Sequence, residues 1–314
     1  MSKPEILELL DVHPGTTAKL DADYRLHKLW EAPDQGTLID QVAPSIRAVV
    51  TNGIAGIKGE LIERLPKLEI IGVLGVGVDA VDLKTAKARG IRVSNTPDVL
   101  TIGVAELAMA ILLDVARKIT WNDRYLRDGR WPKEGDPPLS SSLAGRTLGV
   151  LGMGRIGQAI AERAKVFGMD IIYGGPSRKP DLPYDYHADP VALARAADVL
   201  MVSCRGGAET AGLVNAEVID AVGPAGWLIN ISRGSVVDEP ALIDALGNGR
   251  LGAAGLDVFA NEPEVPAALF AMDNVVLQPH QGSACIETRD AMGDLVLANL
   301  RAHFEGLPLP TAVV

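Results

Sequence analysis

The sequence predicts an α/β protein built on parallel sheets, and three observations predict it. Short β-branched runs alternate with Ala-rich helical stretches along nearly the whole chain, which is the pattern of βαβ units. Two almost identical glycine strings, GVLGVG (72–77) and GVLGMG (149–154), each follow a strand candidate. The length of 314 residues suits two domains of ordinary size.

The strand candidates, in order, are IRAVVTNG (46–53), EIIGVLG (69–75), IRVSN (91–95), TLGVLG (147–152), DIIYG (170–174), DVLMVSC (198–204), GWLINIS (226–232), GAAGLDV (252–258) and NVVLQPH (274–280). Helices such as VDLKTAKARG and QAIAERAKVFG lie between them. The longest apolar stretch, Val99 to Ala116, contains Glu106 and Asp114, whereas a membrane span needs about 20 residues largely free of charge. It is read as a buried helix joining two bodies, with the helix continuing to Thr120. Breaks at NTPDVL (95–100) and PHQGSACIETRDAM then divide the chain. If both are hinges, residues 99–283 form one domain, and residues 1–98 fold with 284–314 into the other.

Charge narrows the function classes. Lys and Arg number 30 against 40 Asp and Glu, a formal net charge of −10, so phosphate backbones and anionic lipid heads are repelled. Neither nucleic acid nor a membrane is expected as a partner. Cys204 and Cys285 are too few for a disulfide framework and lack metal-ligand spacing, so no metal is expected and a cytoplasmic location is the default. The amino terminus, MSKPEILELLDVHPG, has Glu5 and Glu8 inside its apolar run and does not read as a secretory signal.

The two glycine strings differ in what an anion would meet. The second reads Gly152-Met153-Gly154-Arg155-Ile156-Gly157, the dinucleotide fingerprint. Its first glycine permits a tight turn, its second admits the pyrophosphate, and its third packs helix on strand. The first string continues into Val78-Asp79, placing a carboxylate where the second offers Arg155. A guanidinium attracts phosphate and a carboxylate repels it, so the dinucleotide is assigned to Gly152–Gly157. An acid about 20 residues past the loop would bind the ribose hydroxyl of NAD. Here the second strand ends in Gly174-Gly175-Pro176-Ser177-Arg178-Lys179, a hydroxyl and two cations that suit a 2′-phosphate. NADP(H) is therefore preferred, with NAD(H) possible.

Three ionisable residues fall just beyond strand candidates, where ligands bind in α/β sheets. Arg233 follows LINIS, Glu262 follows GLDVFAN, and His280 closes NVVLQPH. Reduction of a 2-keto acid needs a cation for the carboxylate and a proton donor for the developing alkoxide, with hydride arriving opposite. Arg233 can pair with a carboxylate in a planar fork. His280 can protonate the carbonyl oxygen, and Glu262 would orient its ring and favour the imidazolium.

With its motifs GRTLGVLGMGRIGQAIA, LINISRGSVVDEPAL, GAAGLDVFANEPEVP and NVVLQPHQGS, the chain resembles the D-2-hydroxyacid dehydrogenases over nearly its whole length. Within that family it is most similar to the NADP-dependent glyoxylate/hydroxypyruvate reductase branch. The resemblance implies two Rossmann/flavodoxin-like domains with parallel sheets, the cofactor domain inserted into a discontinuous substrate domain, and closure over the substrate. It also implies a substrate-orienting Arg233, an acid–base His280 with Glu262 as its partner, and backbone N–H groups of Val76 and Gly77 holding the substrate carboxylate. Asp257 matches a residue that receives the nicotinamide carboxamide, Thr101 one near the cofactor, and Cys204 lies in a cofactor-side loop. A homodimer is implied, with the Thr101–Thr120 helix and the arm around Trp121 and Trp131 as its surface.

Departures from the pattern are local. Ser177-Arg178 comes about two residues later than in NADP-dependent relatives, and Cys285 stands where Thr is common. Two other readings remain within the resemblance. One is a dehydrogenase of another D-2-hydroxy acid such as phosphoglycerate, which the short tail past the final helix disfavours. The other is a non-enzymatic dinucleotide-sensing interaction protein, for which long disordered extensions would be expected.

Overall fold

Strands that are apolar on both faces must be covered on both sides, and this requirement organises the computed structural model, which describes residues 3–314. The chain divides into two compact units, Met1–Leu100 with Ala284–Val314, and Thr101–Ser283.

The first unit holds a five-stranded sheet of β1 (Glu5–Glu8), β2 (Arg25–Lys28), β3 (Ile46–Asn52), β4 (Ile70–Leu74) and β5 (Arg92–Ser94). All pairings are parallel, in the order β2-β1-β3-β4-β5, a doubly wound arrangement. Leu7, Val49, Ile71 and Val73 are fully buried in its core. The chain returns at Ala284 to add the helix Ile286–Phe304, whose Val296 stands where a Cβ on Gly72 of β4 would be, 3.1 Å away.

The second unit holds seven parallel strands: β6 (Thr147–Leu151), β7 (Asp170–Gly174), β8 (Asp185–His187), β9 (Val199–Val202), β10 (Trp227–Asn230), β11 (Ala253–Leu256) and β12 (Val275–Leu277). Their order is β12-β11-β10-β9-β6-β7-β8. The chain runs outward from β6 to β7 and β8, then crosses back to β9, so the switch point lies between β6 and β9. A dinucleotide is expected at such a crevice. Both fully buried strands there, VLMV and the LGVL of β6, lack a single charged residue.

Three strands carry no apolar signal strong enough to be read beforehand: β1, β2 and β8. The charged ends of β1 are satisfied inside the fold. Glu5 takes hydrogen bonds from Ser45 Oγ (2.9 Å) and pairs with His27 Nε2 (2.7 Å). Glu8 is fully buried and accepts from Thr17 Oγ1 (2.9 Å) and Trp30 Nε1 (3.2 Å). Burial pushes the Glu8 carboxyl above its ordinary range despite those two bonds.

The long helix expected over Thr101–Thr120 ends sooner, at Arg117. Lys118 takes a left-handed backbone (φ 53°), and a new helix runs over Ile119–Arg127. Asp114 fixes the break, because its carboxylate accepts the Thr120 N–H (2.8 Å) and hydroxyl. Among the described residues no helix is long and apolar enough to cross a membrane.

Candidate active site

The glycine fingerprint divides its work as its chemistry requires. Gly152 follows β6 with φ 103°, and a Cβ there would sit 2.4 Å from the backbone nitrogen of Cys204. Gly157 would bring a Cβ 2.3 Å from the Gly152 carbonyl oxygen. Gly154 differs from both, since nothing lies within 4 Å of a Cβ built on it. It is the N-cap of the helix Arg155–Val166, which has neither a side-chain cap nor an acid in its first turn. Open space at a helix N-terminus, on the positive end of its dipole, is what a pyrophosphate needs. Arg155 and Ile156 occupy the first two positions of that helix.

The first string, after β4, makes a turn instead; the next helix, Leu83–Ala88, has six residues and its own Asp82 cap. The Gly75 and Val76 carbonyls accept from Thr96 N–H (2.9 Å) and Asn95 Nδ2 (2.9 Å), and the Gly75 N–H donates to Thr96 Oγ1 (2.8 Å). Among the described residues no acceptor takes the N–H of Val76 or Gly77.

Beyond β7, Ser177, Arg178 and Lys179 are exposed, and no carboxylate pairs with either cation. The turn is nonetheless held in shape. Tyr173 Oη accepts the Lys179 N–H (2.8 Å), and Tyr186 Oη donates to the Gly175 carbonyl (2.7 Å). The side chains are left to solvent while the backbone is fixed. The two tyrosines escaped the sequence reading; a phenol near the end of the apolar strand DIIYG was the available signal for Tyr173, and Tyr186, in the short polar DYH of β8, offered none.

Arg233, Glu262 and His280 follow β10, β11 and β12, three adjacent parallel strands. His280 Nδ1 meets Glu262 Oε2 at 2.7 Å, and Glu262 Oε1 accepts the Phe259 N–H at 3.0 Å. An ionised Glu262 requires the proton on Nδ1, which leaves Nε2 as the ring nitrogen available for exchange. Burial pushes the Glu262 carboxyl up. The His280 hydrogen bond and charge, the Phe259 N–H and the Arg233 charge outweigh it and hold the group below its ordinary range.

The backbone of His280 is left-handed (φ 54°), a conformation a non-glycine residue adopts only when its surroundings impose it. Asp257 imposes it. Its carbonyl accepts the His280 N–H (2.9 Å), and its carboxylate oxygens accept the N–H groups of Gln281 (2.6 Å) and Gly282 (2.9 Å). Burial raises the Asp257 carboxyl above its ordinary range, against the lowering effect of those N–H groups and of the His280 charge.

Arg233 is held from behind by a residue the sequence reading missed. Buried Asn230, the last residue of β10, donates to the Arg233 carbonyl (3.0 Å) and accepts the Ser232 N–H (3.0 Å). Its signal was an amide side chain ending an otherwise apolar strand. Gly234 completes the turn, since a Cβ there would fall 1.9 Å from the Phe259 carbonyl carbon. Cys204 packs at Gly152, its carbonyl taking the Ser232 hydroxyl, and burial pushes its thiol up. A buried thiol pushed up in this way is a poor nucleophile. Thr101 opens the Thr101–Arg117 helix. Among the described residues no group of His, Cys, Asp and Glu is arranged to hold a metal.

Residues 109–282 match the family model for the D-isomer specific 2-hydroxyacid dehydrogenase, NAD binding domain. Curated relatives include a hydroxyphenylpyruvate reductase of Plectranthus scutellarioides, 51% identical with 94% of each chain covered. A glyoxylate/hydroxypyruvate reductase A of Arabidopsis thaliana is 48% identical, again with 94% of each covered. Among solved structures, an NADPH-dependent glyoxylate/hydroxypyruvate reductase from Sinorhizobium meliloti, in complex with NADP and malonate, superposes with a TM-score of 0.94 at 43% identity, covering 100% of this chain and 97% of that one.

The depressed Glu262 carboxyl sets the sign of a pH effect. Its ionised pairing stabilises the fold above the ordinary carboxyl range, and that contribution is lost as pH falls through the lower folded value. Glu262→Gln should therefore remove part of the acid-side loss of stability, seen as a flatter curve of urea midpoint against pH between about 3 and 7. An acid limb identical to wild type would count against the pairing.

Proposed function

The chain belongs to the D-isomer specific 2-hydroxyacid dehydrogenase family and is an oxidoreductase; from that premise we propose an NADPH-preferring reductase of small 2-keto acids, glyoxylate and hydroxypyruvate foremost. The observation that carries this reading is the 2.7 Å bond between His280 and Glu262, which follow β12 and β11, the two strands next in order to β10, after which Arg233 comes.

The residues fit a bound NADP. Gly152, Gly154, Arg155, Ile156 and Gly157 would hold its pyrophosphate, and Ser177, Arg178 and Lys179 its 2′-phosphate. Thr101, Cys204 and Asp257 would lie along it. When bound, the nicotinamide supplies the hydride. Arg233 orients the acid through a bidentate pairing with its carboxylate and carbonyl side. His280 Nε2 gives its proton to the carbonyl oxygen as the alkoxide develops, and Glu262 keeps the resulting ring in the Nδ1–H form. In the oxidative direction His280 takes the proton back. Such acid–base assistance contributes roughly 10²- to 10⁴-fold. The N–H groups of Val76 and Gly77 are assigned to the substrate carboxylate.

The same family reading gives a homodimer, paired through the arm that follows the Thr101–Arg117 helix. Trp131 is 53% exposed and Leu139, a few residues on, 98% exposed, while Trp121 stacks on Tyr125 with ring centroids 5.1 Å apart. Large exposed apolar side chains on one arm are what an interface core requires. Sedimentation equilibrium should return twice the chain mass, and a monomer at micromolar concentration would refute the pairing.

Oxidation of NADPH, followed at the nicotinamide absorbance band, should be fastest with glyoxylate and hydroxypyruvate in a panel that includes hydroxyphenylpyruvate and 2-ketogluconate. Absence of turnover across the panel would remove the enzyme assignment. His280→Asn should lower kcat by roughly 10²-fold or more while NADPH binding, read by fluorescence, stays close to wild type. For the cofactor, the double variant Arg178→Ala with Lys179→Ala should raise the KM for NADPH far more than that for NADH. Equal shifts would mean that the basic turn does not read the 2′-phosphate.

A further inference from the structure

Arg289 is a charged residue where the fold calls for an apolar one. It lies in the first turn of the helix Ile286–Phe304, whose buried positions include Thr288, Met292, Gly293, Val296 and Leu300. At 100° per residue, position 289 falls in the middle of that buried stripe, in line with Val296 seven residues on. Its guanidinium is nevertheless without an ion pair or hydrogen bond among the described residues. Burial pushes it below its ordinary range, and Cys285 is the one group that acts the other way. A half-buried arginine has five donors to satisfy, and since none of its nitrogens is among the sealed, unbonded polar atoms, the guanidinium remains reachable by solvent or by a ligand. A side chain held in that state fits a site completed by an anion.

The register of the helix on β4 says where that anion would be. His303 Nε2 meets Glu69 Oε2 at 3.0 Å just ahead of β4, and Val296 Cγ1 lies 3.1 Å from a Cβ built on Gly72 in its middle. The helix is therefore antiparallel to the strand. Seven helical residues rise about 10.5 Å, and three strand residues advance about 10 Å, so the two contacts keep step. The next step of the same size takes Val296 to Arg289 and Gly72 to Gly75. Helical side chains lean toward the N-terminus, which carries the guanidinium on past Gly75, toward Val76 and Gly77. Those are the two residues whose N–H groups lack an acceptor.

We propose that Arg289 is a positioning residue for the substrate carboxylate, a fixed positive charge behind the Gly75–Gly77 turn that favours an anion on the N–H groups of Val76 and Gly77. The proposal rests on the reading of that turn as the carboxylate holder. It makes the preference for a keto acid over a neutral carbonyl compound partly a property of Arg289. A unit charge pair some 10 Å apart at an effective dielectric near 20 is worth on the order of tenfold in binding.

Two measurements test it. Oxamate, an isostere of a 2-keto acid, is titrated into isotopically labelled protein while the amide resonances of Val76 and Gly77 are followed in wild type, Arg289→Met and Arg289→Lys. Both resonances should shift in wild type, with a dissociation constant raised about tenfold in Arg289→Met and largely restored in Arg289→Lys. In turnover, Arg289→Met should raise the KM for glyoxylate by a similar factor, change kcat less than twofold, leave the KM for NADPH unaltered and leave reduction of neutral methylglyoxal unaffected. A merely structural role would weaken the charged and neutral substrates alike, and that result would overturn the proposal. So would oxamate binding that is indifferent to Arg289, or no shift at either amide in wild type. Should oxamate bind in the Arg289-dependent way while no 2-keto acid is reduced, the reductase reading fails and the carboxylate site stands.

Discussion

Parallel pairing of β6 through β12 forces every strand of the second unit to end at the same side of its sheet, and the chemistry of the site follows from that constraint. Arg233, Glu262 and His280 are far apart in the chain but follow three neighbouring strands. The glycine turn follows β6 and the basic turn follows β7. One geometric rule therefore brings a glycine turn, a basic turn and a hydrogen-bonded His–Glu pair to the same side of one sheet without long-range loops.

Within that frame, positions are fixed by backbone hydrogen bonds from buried polar side chains. Asp257 holds the turn that carries His280 in a left-handed conformation, and Asn230 holds the turn that carries Arg233. Both side chains are fully or almost fully buried, so each would be costly without these partners. The partners repay the burial, and the same bonds restrict the reacting side chains. Rigidity at these two turns and open space at Gly154 are complementary: one fixes the His280 and Arg233 backbone, the other leaves room beside a helix N-terminus. The Asp257 carboxylate, expected only as a cofactor contact, thus has a structural task, holding the Gln281 and Gly282 N–H groups.

Much of this was legible in the sequence. Nine strands were visible because they are continuous, largely apolar runs, whereas the three that were not (β1, β2 and β8) are short and polar, and the charges of β1 find their partners elsewhere in the chain. Glu8 is the clearest case. An acid in a strand reads as exposed until Thr17 and Trp30 are brought to it. The long helix was overextended for a related reason: the apolar pattern continues past Arg117, and only the contact between Asp114 and Thr120 ends it.

The sequence by itself determined the chemistry on offer: glycines at fingerprint spacing, a basic turn lacking an acid, and an Arg, Glu and His each placed after a strand. These are local properties, readable from residue type and order. Tertiary structure decided which groups touch. It set the 2.7 Å bond between residues 18 apart in the chain and placed Asn230 and Asp257 behind the reacting side chains. It also left an arginine without a partner on the buried face of the last helix. Contacts of this kind depend on how strands and helices register against one another, and no local pattern encodes that.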